Sequence, residues 1–363
     1  MPATHDEAFL EDICAHPDDD ATRLIYADWL DDRGDAARAE FIRVQVERRK
    51  KGAEDGQYRD LLTREEALIQ ENEAEWRAEL PALDGVNWEG FSGGFVEAVF
   101  VNSVEVFLRH AAVLFAVAPI RRLQVGHIDA ADARILSECA ELSRLTELNL
   151  GNNPALGRVG VRAFSLSPHL ANLRALLLHY NDLGNQTVEH LAHSPFLDRL
   201  EELYLAGNNL DDEDVSMLLG GAKWSNLTDL DLRDNRIGNA GAEAIGRSAE
   251  LPALSTLYLV NNRIGSRGAA ALAWADDLPR LGRLYLNYNP VGDEGAVAFS
   301  DAPRRTSLRD LDLRQANIRD GGGTAMAESD GFDGLEMLWL GGNHFGRQTS
   351  YRLRDRFGDR LRM

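Results

Sequence analysis

Few residues of this 363-residue chain have the types and spacing that catalysis needs. Its two cysteines, Cys14 and Cys139, exclude a disulfide framework and a cysteine-based zinc module and are typical of a reducing compartment. His16 is close enough in sequence to Cys14 to form a nucleophilic pair with it. We expect Cys14 to pack in a core instead, because a lone cysteine at an apolar helical position usually does so.

Acidic residues crowd one short region that could in principle bind calcium: Asp18, Asp19, Asp20, Asp28, Asp31, Asp32 and Asp35. Their order lacks the alternation, central glycine and terminal glutamate of an EF-hand loop. Asp18 to Asp20 precede a predicted helix, so helix capping and a favourable interaction with the helix dipole explain them. His190 and His193 are three residues apart and lack the third ligand that zinc requires. We therefore predict no metal site.

Glycine runs occur at three places, but none has the spacing of a nucleotide-binding loop. Gly220-Gly221, Gly321 to Gly323 and Gly341-Gly342 do not form GxGxxG or GxxxxGK[ST], and we interpret them as turn glycines. GxSxG and HExxH do not occur in the sequence. The sequence therefore predicts a non-catalytic protein with no cofactor and no catalytic residue.

One nine-residue phrase, LxxLxLxxN, recurs every 25 to 28 residues and is the strongest pattern in the chain. Seven copies keep the final asparagine, and two degenerate copies bring the total to nine. The copies start at Ile120, Leu145, Leu173, Leu200, Leu227, Leu254, Leu281, Leu308 and Leu335. The alternating leucines predict a short strand that buries its first, fourth and sixth residues.

The ninth residue of each phrase closes the turn after the strand. Stacked copies would place these side chains in a ladder that satisfies buried loop donors and acceptors. The expected ladder consists of Asn153, Asn181, Asn208, Asn235, Asn262, Asn289 and Asn343. Ile128 and Ala316 replace asparagine in the two degenerate copies, so the ladder should weaken there. The rest of each period has apolar residues three and four apart, with a small Gly/Ala pair, and predicts one helix per repeat.

These features resemble the leucine-rich repeats of the ribonuclease-inhibitor type, over about residues 95 to 350. The resemblance implies an α/β solenoid with a parallel inner sheet and outer helices. This scaffold serves many unrelated partners, so the resemblance implies no particular activity.

The N-terminal residues have a different pattern and predict four helices, at Asp6–Ala15, Ala21–Arg33, Ala36–Lys51 and Tyr58–Leu80. Their expected core consists of Phe9, Leu10, Ile13, Leu24, Ile25, Trp29, Leu30, Phe41, Ile42 and Val46. The stretch HPDDDATRLIYADWLDDRGD, followed by EFIRVQ, resembles the repeat-companion domain that precedes repeat arrays in some bacterial proteins. The resemblance covers about residues 5 to 50. It implies a domain arrangement but no biochemical activity.

The fold class that we predict is therefore an α/β leucine-rich-repeat solenoid preceded by a small all-α domain. The domain boundaries are 1–84 for the helical domain, 85–119 for an N-terminal cap strand and helix, 120–346 for nine repeats and 347–363 for a C-terminal cap. Within the first cap, Gly93-Gly94 predicts a turn or bulge before a strand at Phe95–Val101. Six arginines in the second cap, from Arg347 onwards, are interpreted as the polar side of an amphipathic helix.

The fifth residue of each phrase should point away from the core, and several of these residues are aromatic. Exposed tyrosine and tryptophan on a rigid surface are typical of protein interfaces. A second interpretation is that Tyr258 and Tyr285, on adjacent strands, only shield each other. The predicted partner-binding residues are Leu177, His179, Tyr180, Tyr204, Asp231, Arg233, Tyr258, Tyr285, Tyr288, Asp312, Arg314 and Trp339.

The balance of 39 basic and 59 acidic residues gives a net charge of −20. This charge disfavours nucleic acids and anionic membranes and favours a protein partner with basic patches. The first thirty residues lack the features of an export signal, and we expect a cytoplasmic monomer. We predict a protein-interaction module that binds on the concave sheet face. Two alternatives are regulation of a partner enzyme or small GTPase, and a metal-dependent activity in the acidic N-terminal domain.

Overall fold

A computed structural model describes residues 5–52, 55–184, 186–221, 224–302 and 307–363. The chain divides into two compact units. The N-terminal unit comprises residues 1–127 and 140–149, and the repeat unit comprises residues 128–139 and 150–363. No helix among the described residues combines the length and the hydropathy that crossing a bilayer would need.

The N-terminal unit begins with four helices that form a small all-α domain, as predicted. They are α1 (His5–Ala15), α2 (Asp20–Asp31), α3 (Ala36–Arg49) and α4 (Gly56–Ala78). Asp19 caps α2 and Asp35 caps α3, each by accepting a hydrogen bond from a backbone N–H of the first turn. Most of the predicted core residues are packed together, but Ile25 is 57% exposed because it lies on the outer side of α2.

Two short hairpins and the first parallel strands complete the N-terminal unit. The strands are β1 (Val86–Trp88), β2 (Phe91–Ser92), β3 (Phe95–Val96), β4 (Ala98–Val101), β5 (Arg122–Val125) and β6 (Glu147–Asn149). Strand β1 pairs antiparallel with β4, and β4, β5 and β6 are parallel. Helix α5 (Val104–Val117) and a 3-10 helix (Ala140–Arg144) connect the parallel strands. The predicted cap strand at Phe95–Val101 is therefore divided into β3 and β4.

The helices and the β2–β3 hairpin share their cores. Phe95 packs with Ile13, Ile42 and the rest of the first helical cluster, and Phe91 packs against Phe41 and Trp76. Whether residues 1–84 fold as a separate domain stays a prediction.

A buried arginine holds the hairpin turn to the helices. Arg23 is fully buried and donates to the carbonyl oxygens of Gly93 and Pro17 and to the carboxylate of Glu97, the last at 2.6 Å. Gly93 and Gly94 have φ of 56° and 90°, and a Cβ on Gly94 would meet Ile42. Only glycine fits this turn, which confirms the predicted Gly93-Gly94 turn.

The repeat unit alternates one strand with one helix. Its strands are β7 (Ala175–Leu177), β8 (Glu202–Tyr204), β9 (Asp229–Asp231), β10 (Thr256–Tyr258), β11 (Arg283–Tyr285), β12 (Asp310–Asp312), β13 (Met337–Trp339) and β14 (Leu361–Arg362). Its helices are α6 (Ala130–Ser137), α7 (Gly157–Ser165), α8 (Val188–Ala192), α9 (Asp212–Gly220), α10 (Asn239–Gly246), α11 (Ser266–Ala273), α12 (Gly292–Asp301), α13 (Asp320–Glu328) and α14 (Arg347–Phe357).

Adjacent strands of the repeat unit are parallel and in strict register, so equivalent residues of neighbouring repeats lie side by side. The leucines at the fourth and sixth positions, such as Leu257 and Leu259, are buried. The predicted fold class, an α/β leucine-rich-repeat solenoid with an N-terminal all-α domain, is confirmed.

Each ladder asparagine bridges two successive repeats in the repeat unit. Asn262 shows the pattern: its Oδ1 accepts from the N–H of Ile237 at 3.0 Å, and its Nδ2 donates to the carbonyls of Leu232 and Leu259. At the degenerate position, the backbone carbonyl of Ala316 accepts from the N–H of Gly292.

The C-terminal segment ends the sheet in a way that the sequence pattern did not predict. Helix α14 buries Leu353 and Phe357, and a 3-10 turn at Gly358–Arg360 leads into β14, which pairs with β13. The arginines of this segment bind back to the preceding repeat: Arg356 pairs with Asp333, and Arg352 pairs with Glu328 at 3.1 Å.

Candidate functional site

The candidate site is the sheet face of the repeat unit, defined by the third, fifth and seventh phrase positions from β7 to β13. The third row is Ala175, Glu202, Asp229, Thr256, Arg283, Asp310 and Met337. The fifth row is Leu177, Tyr204, Asp231, Tyr258, Tyr285, Asp312 and Trp339. The seventh row is His179, Ala206, Arg233, Val260, Asn287, Arg314 and Gly341. Because the strands are parallel and in register, each row crosses the strands in a line.

The fifth row contains a group of packed aromatic rings. Tyr258 and Tyr285 stack with ring centroids 4.8 Å apart and an angle of 6° between the ring planes. The Trp339 ring lies 6.3 Å from that of Tyr285. All three residues are half-buried, and burial raises the pKa of both tyrosines. Tyr258 and Tyr285 therefore do shield each other by stacking, but part of each residue is still exposed to solvent.

Two acid–arginine pairs flank the stacked Tyr258 and Tyr285, and the second pair lies between Tyr285 and Trp339. Arg233 donates through Nε and Nη2 to the Asp231 carboxylate, and Arg314 binds Asp312 in the same way. The two aspartate side chains are each 1% exposed, whereas the arginine side chains are 46% and 49% exposed. The hydrogen bonds to the carboxylates raise the pKa of both arginines.

This geometry determines which groups these two pairs present to solvent. Asp231 and Asp312 do not present free carboxylates to solvent, because each is buried beneath its own arginine and also accepts the backbone N–H of that arginine. The exposed group at both places is a guanidinium whose direction is fixed by the aspartate below it. The sequence signal was available, since the motif DLDLR occurs at both places, from Asp229 and from Asp310.

The third row carries most of the acidic groups of the sheet face. Glu202 accepts a hydrogen bond from the Tyr204 hydroxyl at 2.9 Å, and burial raises the pKa of that hydroxyl. Asp229 and Asp310 are partly exposed, and Arg283 is exposed between them. The sheet face thus has acids along one side, aromatic rings in the middle, and fixed arginines along the other side.

The eighth position of every phrase has a left-handed backbone, with φ between 48° and 74°. The occupants are His127, Asn152, Tyr180, Gly207, Asp234, Asn261, Tyr288, Gln315 and Gly342. Asparagine, aspartate and glycine tolerate this conformation, and their frequency here was a signal that our sequence reasoning missed. Tyrosine tolerates it less well, so the neighbouring coils must hold Tyr180 and Tyr288 in it.

Tyr180 and Tyr288 stand at the edge of the sheet face and are 49% and 56% exposed. The Tyr180 hydroxyl donates to Asp234 at 2.8 Å, two repeats away, and its ring covers Gly207. Asp234 also accepts from the amide of Asn261 at 2.7 Å. These bonds connect three repeats along the loop edge.

His179 and Leu177 occupy the end of the sheet face at β7, and both are half-buried. The His179 ring lies against Gly151, where a Cβ would come within 2.2 Å of it. Burial lowers the pKa of His179. The structure thus brings all twelve predicted partner-binding residues to the sheet face or to its loop edge, but whether they bind a partner stays a prediction.

Cys14 and His16, which could have formed a nucleophilic pair, bond to different partners. Cys14 is buried with its thiol directed at the Ala116 carbonyl oxygen, 3.8 Å away, and burial raises its pKa to about 11. The ring of His16 bonds to Asp12. Cys14 is thus a packed core thiol, as expected from the sequence.

Six of the seven residues in the acidic cluster are helix caps or partners of arginine: Asp19 and Asp35 are caps, and the other four form ion pairs. Asp28 and Asp31 both accept from Arg43, Asp20 pairs with Arg49, and Asp18 pairs with Arg121. Among the residues described here, no three or more His, Cys, Asp or Glu side chains are grouped so that they could hold a metal ion.

The two helical histidines also have separate neighbours. His190 accepts from Arg158 at 3.1 Å, and His193 bonds to the carbonyl of Glu189. Burial lowers the pKa of His190.

Comparison with known proteins agrees with the repeat structure of the chain. Five segments match the sequence profile of the family described as Leucine Rich repeat, at residues 200–219, 225–246, 252–273, 281–300 and 305–327. The chain contains leucine-rich repeats. The profile covers only the central repeats, and the resemblance of residues 5–50 to a repeat-companion domain stays a prediction. No curated protein matches the sequence.

Among solved structures, one similar chain belongs to the crystal structure of the Rad7 and Elc1 complex in yeast. It is 14% identical, the match covers 93% of this chain and 91% of that one, and the TM-score is 0.52. A protein from Bacteroides fragilis is also 14% identical, with 67% of this chain and 65% of that chain covered and a TM-score of 0.42. At 14% identity the likeness to the yeast chain concerns the fold alone.

Proposed function

We propose that this protein is a non-catalytic interaction module that binds a protein partner on the sheet face. One observation carries the proposal: the stacked Tyr258 and Tyr285 lie between two arginines whose directions are fixed by buried aspartates. Side chains held on strands lose little conformational freedom on binding, so a larger part of their contact energy contributes to affinity. Half-exposed tyrosine and tryptophan together with arginine are the residue types that dominate protein interfaces.

The three rows also indicate what kind of partner would fit. The third and seventh positions of a phrase are about 13 Å apart along a strand, and a helix with its side chains is roughly 10–12 Å wide. A partner segment with apolar side chains in the middle would contact the fifth row. Its basic side chains would lie over Glu202, Asp229 and Asp310, and its acidic side chains would lie over Arg233 and Arg314.

The comparisons support the class of function without identifying a partner. Leucine-rich repeats are scaffolds that present an extended surface to other proteins. The similar yeast chain comes from a crystal structure of a two-protein complex. The partner, its basic patches and the monomeric state of this chain are parts of the proposal.

The test is a quantitative pull-down from the native cell with the full chain and a Tyr258→Ala/Tyr285→Ala double variant. We expect the variant to lose at least one specifically captured protein, because it lacks the central contact of the fifth row. Trp274→Ala is the matched control, since Trp274 is an exposed ring at the end of α11 and outside the three rows. Circular dichroism must show that both variants are folded. Equal recovery of all proteins by wild type and double variant would contradict binding on the sheet face.

A further inference from the structure

The helical part of the N-terminal unit contains a cavity of about 270 Å³ that no motif in the sequence points to. It is lined mainly by the rings of Tyr26, Trp76, Phe91 and Phe95 and by the Arg38 side chain. These residues come from α2, α3, α4 and the β2–β3 hairpin. The volume is just below the roughly 300–1,000 Å³ of drug-sized ligand pockets, so an occupant must be small.

Arg38 is the unusual feature of this cavity. The residue is only 7% exposed, and its Nη1 has no hydrogen-bond partner among the residues that the structure describes. The guanidinium carbon lies 4.9, 5.6 and 5.7 Å from the ring centroids of Trp76, Phe95 and Phe91. The rings offer attraction to the cation but no lone pair for the N–H group.

A buried N–H donor of a guanidinium is costly to leave without an acceptor. Arginine does not lose its proton in proteins, so Arg38 cannot avoid the cost by becoming neutral. Burial lowers the pKa of Arg38, and Glu79 opposes that shift by electrostatic attraction without a hydrogen bond to Arg38. Arg23, the other deeply buried arginine of this unit, has a carboxylate and three carbonyl oxygens as acceptors for its Nη1 and Nη2 groups, and only its Nε lacks a partner among the described residues. The contrast indicates that an acceptor from outside the chain completes the Arg38 environment.

We propose that this cavity is a binding site for a small monocarboxylate with an aromatic or apolar body, whose carboxylate accepts from Arg38. The ring-lined walls would pack on the apolar body. Glu79 and Asp6 also line the cavity and disfavour a dianion such as a phosphate ester. This site is independent of the proposed binding on the sheet face.

The test is titration calorimetry on the full-length protein with 3-phenylpropionate, its neutral amide and the corresponding amine as probes. We expect the carboxylate to bind about ten-fold or more tightly than the amide, because a charged acceptor forms the stronger hydrogen bond with a guanidinium. The amine should not bind. No binding of the carboxylate, or equal affinity for carboxylate and amide, would overturn the proposal and leave a solvent-filled cavity.

Variants locate the binding to this cavity. Arg38→Met keeps an unbranched apolar side chain among the rings and should abolish the preference for carboxylate over amide. Arg43→Met is the matched control on the same helix, since Arg43 pairs with Asp28 and Asp31 outside the cavity, and it should bind like wild type.

A second variant keeps the test decisive if Arg38→Met does not fold. Glu79→Gln removes a carboxylate that lines the cavity and should strengthen binding of 3-phenylpropionate several-fold without changing the affinity for the amide. Unchanged carboxylate affinity in this variant, or full carboxylate preference in folded Arg38→Met, would contradict the assignment.

Discussion

The two units are stabilised by different kinds of polar contact. In the N-terminal unit, single buried side chains join segments far apart in sequence, as when Gln45 bonds to Glu65 and to the N–H of Gly94. In the repeat unit, the same bonds recur with the repeat, as in the asparagine ladder. A recurring contact has its partner at a fixed sequence distance, so it can be inferred from one sequence. A unique contact leaves no such pattern.

This difference between the units predicts that, in the N-terminal unit, the largest loss of stability will come from replacing Arg23. Arg23→Ala should lower the free energy of unfolding by about 3–5 kcal/mol, because it removes the 2.6 Å partner of the buried Glu97 carboxylate and leaves it only the longer pair with Arg49, at 3.5 Å. Urea denaturation followed by circular dichroism measures the change. Arg43→Ala is the control: it breaks two exposed ion pairs and should cost only about 0–1 kcal/mol. Similar losses in the two variants would show that burial of the Arg23–Glu97 pair is not what stabilises this unit.

In the repeat unit, the corresponding loss should be smaller because neighbouring repeats provide equivalent bonds. Asn262→Ala removes an acceptor from the buried N–H of Ile237 and donors from several carbonyls, and should cost about 1–3 kcal/mol. Asn226→Ala is the control, since the Asn226 amide bonds to the Asp198 carbonyl at an exposed site. An unchanged denaturation midpoint and slope for Asn262→Ala would contradict the stabilising role of the ladder.

Much of the repeat unit could be predicted from the sequence. The strands, the helices and the row of aromatic residues follow from one period, because each position has the same surroundings in every repeat. The four N-terminal helices were also predicted to within two residues at each end, since helix caps and proline are local signals.

The parts that could not be predicted depend on contacts between particular side chains. The burial of Asp231 beneath Arg233 depends on how the two side chains are oriented, which the sequence does not specify. Strand β14 could not be predicted because it follows a C-terminal helix whose sequence resembles none of the earlier repeats. Arg23 and Arg38 look like ordinary surface arginines of amphipathic helices in the sequence. They are buried by contacts with the β2–β3 hairpin and with other elements, such as Trp76 of α4 for Arg38 and Glu97 for Arg23.

A second set of bonds between repeats lies at the helix starts, and we expect its disruption to have a smaller effect on stability. Asn239 at the start of α10 accepts the N–H groups of Gly265 and Gly268 from the next repeat, at 2.9 and 2.8 Å. A Cβ on Gly268 would lie 3.0 Å from the Cα of Asn239 and 2.9 Å from its Oδ1.

Gly268→Ala should therefore destabilise the protein by about 1 kcal/mol, measured as a lower urea midpoint. Crowding costs roughly 1–3 kcal/mol, and alanine's higher helix propensity offsets about 1 kcal/mol of that. A Cβ on Gly220 in α9 would meet no atom of the described residues within 4 Å, so Gly220→Ala should be neutral or stabilising. A stabilising Gly268→Ala would mean that the neighbouring helices can move apart at little cost.

The smallest expected effect concerns His179, at the end of the sheet face. Burial lowers its pKa below the ordinary 6.5. The unfolded chain therefore takes up a proton near pH 6.5 more readily than the folded chain does. The stability that the neutral ring contributes is fully present above pH 6.5 and is lost as the pH falls below that value.

Urea denaturation of wild type and His179→Gln at several pH values isolates this contribution, because the other titrating groups are common to both proteins. The difference in unfolding free energy should be constant between pH 8 and 9 and should shift in favour of the variant from pH 6.5 towards pH 5. A difference that shifts in favour of wild type in acid would mean that the folded protein prefers the charged ring. In that case the ring would not be packed on Gly151 as the structure has it, and the glutamine variant would lose a favourable charge interaction instead of removing a buried base.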